Sequence, residues 1–187
     1  LSVEIQWKPY FLSPNTPPEG EDLMEHLAAK YGRAAVERFG VPGNPLDVAG
    51  EKVGIRFNKS RRFVNTMNGH RVMEWCNQNN PNKSDELMEA IFKAYFEDAK
   101  DISKVPELLS IAASVGLDQS AIESMLATNA YSQEVAQADR QVKTQLRVSG
   151  VPYFIVESNT GARPTAFSGA QPADLIAEVL VEAQGEA

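Results

Sequence analysis

The order of elements that the sequence predicts is that of an α/β protein, with a block of helices set between a first strand and a late β-hairpin. Apolar and polar residues alternate from Val3 to Trp7, as they do in a strand. Helical spacing then prevails from Glu21 to Leu146. Two short runs of β-branched and aromatic residues between Tyr153 and Ser168 predict the hairpin, and a helix after Pro172 closes the chain.

A proline-rich loop separates the first strand from the first helix. The alternation breaks at Pro9, and the segment Ser13 to Gly20 contains too many prolines for a regular element. Apolar residues recur at helical spacing from Glu21 to Phe39, with a break at Gly32. The turn residues of Val41 to Pro45 then end the helical pattern.

The middle of the chain predicts one extended segment and two helices. Gly50 to Asn58 alternates weakly, which indicates an extended segment outside the main sheet. Arg62 to Asn77 follows helical spacing, and Lys83 to Asp98 is the clearest helix, because its apolar residues form a wide stripe. Four residues of that stripe are expected to face inward: Leu87, Ile91, Phe92 and Tyr95.

Three more helices are predicted before the hairpin. Val105 to Val115 is closed by Gly116, which is typical of a helix C-terminus. The next helix spans Ser120 to Ala127, where Ser120 and Glu123 fit a capping box. Tyr131 to Leu146 forms a longer and more polar helix.

The end of the chain predicts a hairpin and a helix. The strands are Tyr153 to Glu157 and Thr165 to Ser168, joined by a turn around Asn159 to Gly161. Pro172 opens the final helix at a position where its missing N–H costs nothing. The buried stripe of that helix is expected to be Leu175, Ile176, Val179 and Leu180.

Composition and charge exclude several classes of partner. The chain has 187 residues, enough for one domain or for one domain with an insertion. Its net charge of −7 argues against non-specific binding to nucleic acid or anionic membranes, since both are negatively charged. No apolar run approaches the ~20 residues that span a bilayer, and no signal-peptide pattern precedes Val3. We therefore expect a soluble protein whose compartment the sequence does not specify.

Cysteine and histidine are sparse. The single cysteine, Cys76, excludes an intrachain disulfide, and its place in a predicted helix favours a buried structural thiol. His26 and His70 have no cysteine or carboxylate partners at metal-ligand spacing, so no metal site is expected.

The stretch Val148 to Val156 is the most informative part of the sequence. Gly150 and Pro152 stand directly before an apolar run, which predicts a turn that leads into a strand. Because proline has no N–H, Pro152 must lie at the first position of the strand or in a turn that exposes the neighbouring backbone. Val151 and Pro152 are therefore candidates for a substrate-binding backbone edge. The simpler alternative is that Pro152 only makes the strand entry rigid.

Several short stretches along the chain carry a family resemblance: Trp7 to Pro14, Pro18 to Gly20 with Lys30 to Gly32, Asn65-Thr66 with His70-Arg71, Ala94 to Phe96, Gly116 to Asp118, Gly150 to Phe154, and Ser168 to Pro172. In this order they resemble the FrnE-type branch of the DsbA-like family, which is related to 2-hydroxychromene-2-carboxylate isomerases and kappa-class glutathione transferases. Each stretch is short, but together they extend over nearly the whole chain.

The resemblance implies a thioredoxin-like fold with a helical insertion. Residues 1–20 and 128–187 would form the thioredoxin-like domain, and residues 21–127 the insertion. The resemblance also implies that the Val151–Pro152 peptide is cis and lies against the redox cysteines. Members of the family begin with a strand and a helix that starts with Cys-x-x-Cys, and this sequence contains no such unit. We expect an upstream strand and helix in the native protein, or a partner chain that supplies the strand between Val3 to Trp7 and the hairpin.

The function implied by the resemblance is thiol-disulfide oxidoreductase activity on protein or small thiol and disulfide substrates. Two alternatives stay open: a redox-inactive structural or binding subunit of a larger assembly, and a glutathione-dependent isomerase or transferase. No cofactor is expected apart from glutathione in that last case. No catalytic residue is assigned within the sequence.

One polar group on a predicted helix has two interpretations. Asn65, Thr66, His70 and Arg71 border the cleft if the resemblance is followed. A lone histidine without a partner is not a catalytic constellation, so we interpret the group as a solvated helix face.

Overall fold

The structure is a computed structural model that describes residues 1–159, 161 and 163–185. The strands are β1 Glu21–Asp22, β2 Arg62–Phe63, β3 Tyr153–Val156 and β4 Thr165–Ser168. The helices are α1 Leu23–Tyr31, α2 Arg33–Gly40, α3 Pro45–Glu51, α4 Met67–Asn79, α5 Ser84–Phe92, α6 Val105–Ser114, α7 Gln119–Leu126, α8 Ser132–Thr144 and α9 Ala173–Glu182. A 3₁₀ turn, Pro81–Lys83, precedes α5, and a π-helical turn, Lys93–Glu97, follows it.

The hydrophobic core lies in the helical block, between α4, α5, α6 and α7. Its fully buried side chains include Val72, Cys76, Leu87, Leu108 and Ile122. The core forms because these helices are amphipathic and place their apolar stripes against one another. The predicted helices of this block are confirmed, with ends shifted by a few residues.

One inward-facing residue was predicted wrongly. Leu87 and Ile91 are buried as expected, and Tyr95 packs against the core. Phe92 is 39% exposed, and its ring meets the edge of Trp7 at a centroid distance of 5.7 Å. Ordinary helix geometry explains the difference, because Phe92 follows the buried Ile91 by one residue and therefore lies about 100° further around α5.

The region between α2 and α4 differs from the prediction in two places. Pro45 does not end the helical region but begins α3, where the Asn44 side chain accepts hydrogen bonds from the Leu46 and Asp47 N–H groups. The predicted extended segment is therefore helical as far as Glu51. A second difference is that Arg62–Phe63 pairs antiparallel with Glu21–Asp22 instead of starting a helix.

The start of α7 shows which side chain caps the helix. Asp118 accepts hydrogen bonds from the N–H groups of Ser120 and Ala121, at 2.9 and 3.1 Å. Ser120 lies inside the helix, so the predicted capping box of Ser120 and Glu123 is wrong. A carboxylate two residues earlier takes the same role, and it also interacts favourably with the helix dipole.

The segment Val3 to Trp7 is not a strand. Val3 and Ile5 are 50% and 52% exposed, and the segment pairs with no strand in the described part of the chain, so direct pairing with the hairpin does not occur. From Trp7 onward the chain lies on the helices, and we call Trp7 to Thr16 the N-terminal strap. Alternation alone did not produce a strand, because a strand needs a neighbour for its N–H and C=O groups.

The predicted hairpin is confirmed. Strands β3 and β4 are antiparallel, with Tyr153 opposite Ser168 and Val156 opposite Thr165, and the Phe154 and Phe167 rings stack at 4.8 Å. The predicted turn around Asn159 to Gly161 includes Thr160, which lies outside the described residues.

The final helix, α9, begins directly after Pro172, close to the predicted start. Its predicted buried stripe is wrong, because no α9 residue is buried and Leu175 is 41% exposed. No helix in the described ranges is long and apolar enough to cross a membrane. The domain boundaries at residues 20 and 128 stay a prediction. Helix α8, on the thioredoxin side of the second boundary, packs against α4 of the helical block.

Candidate functional site

The candidate site is the loop that leaves α8 and enters β3. Arg147 adopts a left-handed conformation, with φ 55°, and the buried Val148 donates its N–H to the Val142 carbonyl at 3.1 Å. The Val151–Pro152 peptide is cis, as the resemblance implies. Gly169 donates its N–H to the Pro152 carbonyl at 2.8 Å, which fixes the loop to the end of the hairpin.

The free edge of β3 is defined by this hydrogen bond and by the strand register. Hydrogen-bonded pairs alternate with non-bonded pairs in an antiparallel ladder. The bond between Gly169 and Pro152 therefore places Phe154 and Val156 in bonded pairs with β4. It follows that Tyr153 and Ile155 direct their N–H and C=O groups away from β4, and Val151 lies just before this edge, on the other side of the cis peptide.

This edge is open in the described part of the chain. The sheet containing β3 has two strands, and neither the N–H nor the C=O of Val151 has a hydrogen-bond partner there. The side chains of Val151 and Ile155 are each 46% exposed. An edge of this kind can pair with the backbone of another extended segment.

A charged pair on α8 holds the N-terminal strap, which in turn contacts the loop. The Asp139 carboxylate accepts a hydrogen bond from the Phe11 N–H at 2.8 Å, and the Lys143 ammonium donates to the Phe11 carbonyl at 2.7 Å. Asp139 and Lys143 also pair with each other at 2.8 Å. Lys143 lies 4.6 Å from the centre of the Tyr10 ring, and the Tyr10 hydroxyl is 3.5 Å from the Val148 carbonyl. The N-terminal strap therefore contacts the same loop that carries Val151.

His70 lies beneath the strap, partly buried. Its ring meets the Phe11 ring edge to face at 4.9 Å. Burial lowers the pKa of His70 from 6.5 to about 4, although the Asp139 carboxylate and a backbone hydrogen bond with Tyr10 act in the opposite direction. The imidazole is therefore neutral at pH 7.

The predicted solvated helix face is also wrong for Arg71 and Asn65. Arg71 is 5% exposed and donates to the carbonyls of Met125, Thr128 and Ala130, so it joins α4 to the end of α7 and to the segment that follows it. Burial lowers the pKa of Arg71. The Asn65 side chain donates to the Thr16 carbonyl at 2.9 Å and accepts from the Met67 N–H at 3.0 Å. These residues hold the strap and the helices together and do not line a cleft.

Cys76 is a structural thiol, as predicted. It is fully buried, and its thiol donates to the Asn80 carbonyl at 3.4 Å. Burial raises the pKa of Cys76, with a smaller opposing contribution from the Ser84 hydrogen bond. A thiol that is buried and protonated is a poor nucleophile. In the described ranges, no three His, Cys, Asp or Glu side chains are grouped so that they could hold a metal ion.

Sequence reasoning missed Asp139 and Lys143. Their spacing of four residues on a polar helix is the one signal that could have indicated an ion pair. Nothing in that spacing indicates that both charges bind the backbone of a residue more than a hundred positions earlier.

The fold and the site define a class of protein: a thioredoxin-like domain with a helical block and a strand that begins at a cis-proline. A sequence model of the DSBA-like thioredoxin domain family matches residues 1–181. The chain belongs to this family.

Related proteins agree with this assignment. The chain is similar to the uncharacterized protein YwbO of Bacillus subtilis, with 21% identity over 182 residues, which cover 97% of this chain and 83% of that protein. The structure of the present chain is similar to that of a probable DsbA oxidoreductase, SCO1869 of Streptomyces coelicolor, with a TM-score of 0.78 and 25% identity. That match covers 94% of this chain and 73% of the other.

A second solved structure shares the fold. It is a putative protein disulfide isomerase from Nitrosomonas europaea, with a TM-score of 0.66 and 19% identity, covering 83% of this chain and 76% of the other. At this identity the second match shows the shared fold. The DSBA-like family and the Streptomyces coelicolor structure support a place for the chain in a family of thiol-disulfide oxidoreductases.

Proposed function

We propose that the protein is a DsbA-like thiol-disulfide oxidoreductase of the FrnE-type branch, and that it docks extended thiol or disulfide substrates at Val151 and Pro152. The observation that carries the proposal is the backbone of Val151, whose N–H and C=O have no partner in the described part of the chain. These two groups lie at the start of the free β3 edge. They can pair with two groups of a substrate backbone.

The geometry suits a peptide better than a rigid small molecule. Docking through main-chain groups is tolerant of substrate sequence, because every peptide has the same backbone. The exposed side chains of Val151 and Ile155 add apolar surface on one face of the edge. A substrate with an apolar residue beside its cysteine is therefore favoured.

A redox-inactive binding subunit is the second candidate, and one observation favours it. Cys76 is the only cysteine among the 187 residues, and it is buried. In that case Val151 would bind a partner segment without any exchange of thiols. A glutathione-dependent isomerase or transferase is the third candidate.

Substrate docking is tested by an NMR titration of the protein with a short peptide that contains a mixed disulfide. We expect shifts of the Val151, Tyr153 and Ile155 amides. Val151→Glu should weaken binding at least tenfold, because it places a carboxylate on an apolar contact. The matched control is Val48→Glu on α3, where the native valine is similarly exposed at 42%, and it should bind as the wild type does. Equal affinity of the two variants, together with a Val151 amide that does not shift in the wild-type titration, would rule out docking at Val151.

Turnover separates the three candidates. Insulin disulfide reduction by the protein as encoded is expected if it is an oxidoreductase. Peptide binding without turnover would indicate the binding subunit. Activity that needs glutathione and involves no exchange of protein disulfides would indicate the isomerase or transferase.

A further inference from the structure

His70 was singled out by the sequence, yet the proposed docking site does not use it. It belongs to α4 and faces the N-terminal strap, beside a small, partly open cavity of about 10 Å³. Its lining includes Lys8, His70, Glu74 and Met88. Few water molecules fit in a space of this size, so a charged imidazole would gain little solvation from this side.

We infer that the N-terminal strap couples solution acidity to the position of the Val148–Pro152 loop, with His70 as the group that takes up the proton. The strap has no regular secondary structure, so its position depends on side-chain contacts. Phe11 is held through its N–H and its carbonyl by Asp139 and Lys143, and through its ring by His70. Phe11 is therefore the residue of the strap that contacts both the charged pair of α8 and the ring of His70.

The charges around His70 decide what a proton does there. Lys8 of the strap and Glu74 of α4 line the cavity, α5 contributes the uncharged Met88, and α8 contributes Asp139 with Lys143. Asp139 attracts an imidazolium, but it is already paired with Lys143 and with the Phe11 N–H. Burial outweighs this attraction, so the closed strap disfavours the charged ring.

The difference in the pKa of His70 between the closed and the released strap determines how acidity changes the stability of the closed strap. A released strap exposes His70 to water, where its pKa returns toward 6.5, whereas in the closed form it is about 4. The closed form is at full stability above pH 6.5 and loses stability as the pH falls toward 4. Over these 2.5 units the opening equilibrium rises by at most about 300-fold.

Opening of the strap affects the docking loop because Tyr10 of the strap and the residue next to Lys143 both contact Val148. The Tyr10 hydroxyl approaches the Val148 carbonyl at 3.5 Å, and the Val148 N–H is bonded to Val142, next to Lys143. Release of the strap removes Tyr10 from the loop and frees Lys143. The relevance to substrate binding depends on the proposed function, whereas the movement of the loop does not.

The experiment is an NMR titration of the wild-type protein from pH 7.5 to pH 4, without substrate. The two histidine side chains are assigned with His26→Gln, which serves as the control because His26 is paired with Glu21 and not with the strap. We expect the His70 ring to titrate well below 6.5. The protection factor of the Phe11 amide and the shift of the Val151 amide should follow the same midpoint.

His70→Phe removes the ionisable group but keeps an aromatic ring beside Phe11. The acid response of Phe11 and Val151 should disappear in this variant and persist in His26→Gln. A fall in Phe11 protection that is unchanged in His70→Phe would overturn the inference, as would a Val151 amide that does not follow the strap. If His70→Phe does not fold, the wild-type midpoints decide: a Phe11 response that does not coincide with the His70 ring overturns it. No disulfide substrate is present, so this result and the docking result can fail independently.

Discussion

Single residues of this protein gain their roles from their surroundings. Cys76 belongs to a residue type that the family uses for catalysis, yet it is buried among helices and bonded to a backbone carbonyl. Arg71 shows the same contrast. It belongs to a residue type that is usually exposed, and here it is buried and donates to three carbonyls at the end of α7 and just after it.

The state of Cys76 can be tested by thiol labelling. We expect a thiol-reactive disulfide reagent to leave native Cys76 unmodified at pH 8 and to label it once the chain is unfolded in guanidinium, because burial both blocks access and raises the pKa of the thiol. Labelling of the native protein at the rate of a free cysteine would contradict this assignment. The unfolded chain serves as the internal control.

Among the elements, helix caps were harder to predict from the sequence than helix bodies. The bodies of α4 to α8 follow from apolar residues at helical spacing. The cap of α7 does not, because Asp118 and Ser120 are both common capping residues, and the choice depends on where the backbone turns. The π-helical turn after Phe92 has no sequence signal at all.

The cap assignment is tested by a pair of variants. Asp118→Ala should lower the free energy of unfolding by about 0.5–2 kcal/mol, since it leaves the Ser120 and Ala121 N–H groups without their acceptor. Ser120→Ala should change stability little, because its side chain does not cap the helix. Chemical denaturation of both variants measures the difference. A larger loss for Ser120→Ala would reverse the assignment.

In the whole molecule, the hydrophobic core and the candidate site lie in different parts. The core lies between α4 and α7, whereas Val151 lies on an open hairpin edge. The sequence predicted the hairpin, the cis-proline loop and most helices, because these depend on local pattern or on family resemblance. It did not predict the strap, the Asp139–Lys143 pair or the exposed α9 face, because these depend on contacts between distant parts of the chain.

The location of the core can be measured with two leucines. Leu87→Ala should cost about 2–5 kcal/mol, because the side chain is fully buried. Leu175→Ala on α9 is the matched control and should cost less than about 1 kcal/mol, since the native side chain is 41% exposed. Denaturation curves of the two variants provide the comparison. Equal losses would show that α9 is buried to the same degree as α5.

The attachment of Phe11 by its main chain also limits which substitutions the molecule can accept. Asp139 and Lys143 bind an N–H and a carbonyl that every residue except proline possesses. The two hydrogen bonds from Asp139 and Lys143 can therefore form with almost any residue at position 11. Proline is the one residue that cannot form both. The two charges have no such freedom, because loss of either one leaves the other beside a partly buried backbone with no opposite charge. Substitutions are therefore tolerated more readily at position 11 of the strap than at Asp139 or Lys143 of α8.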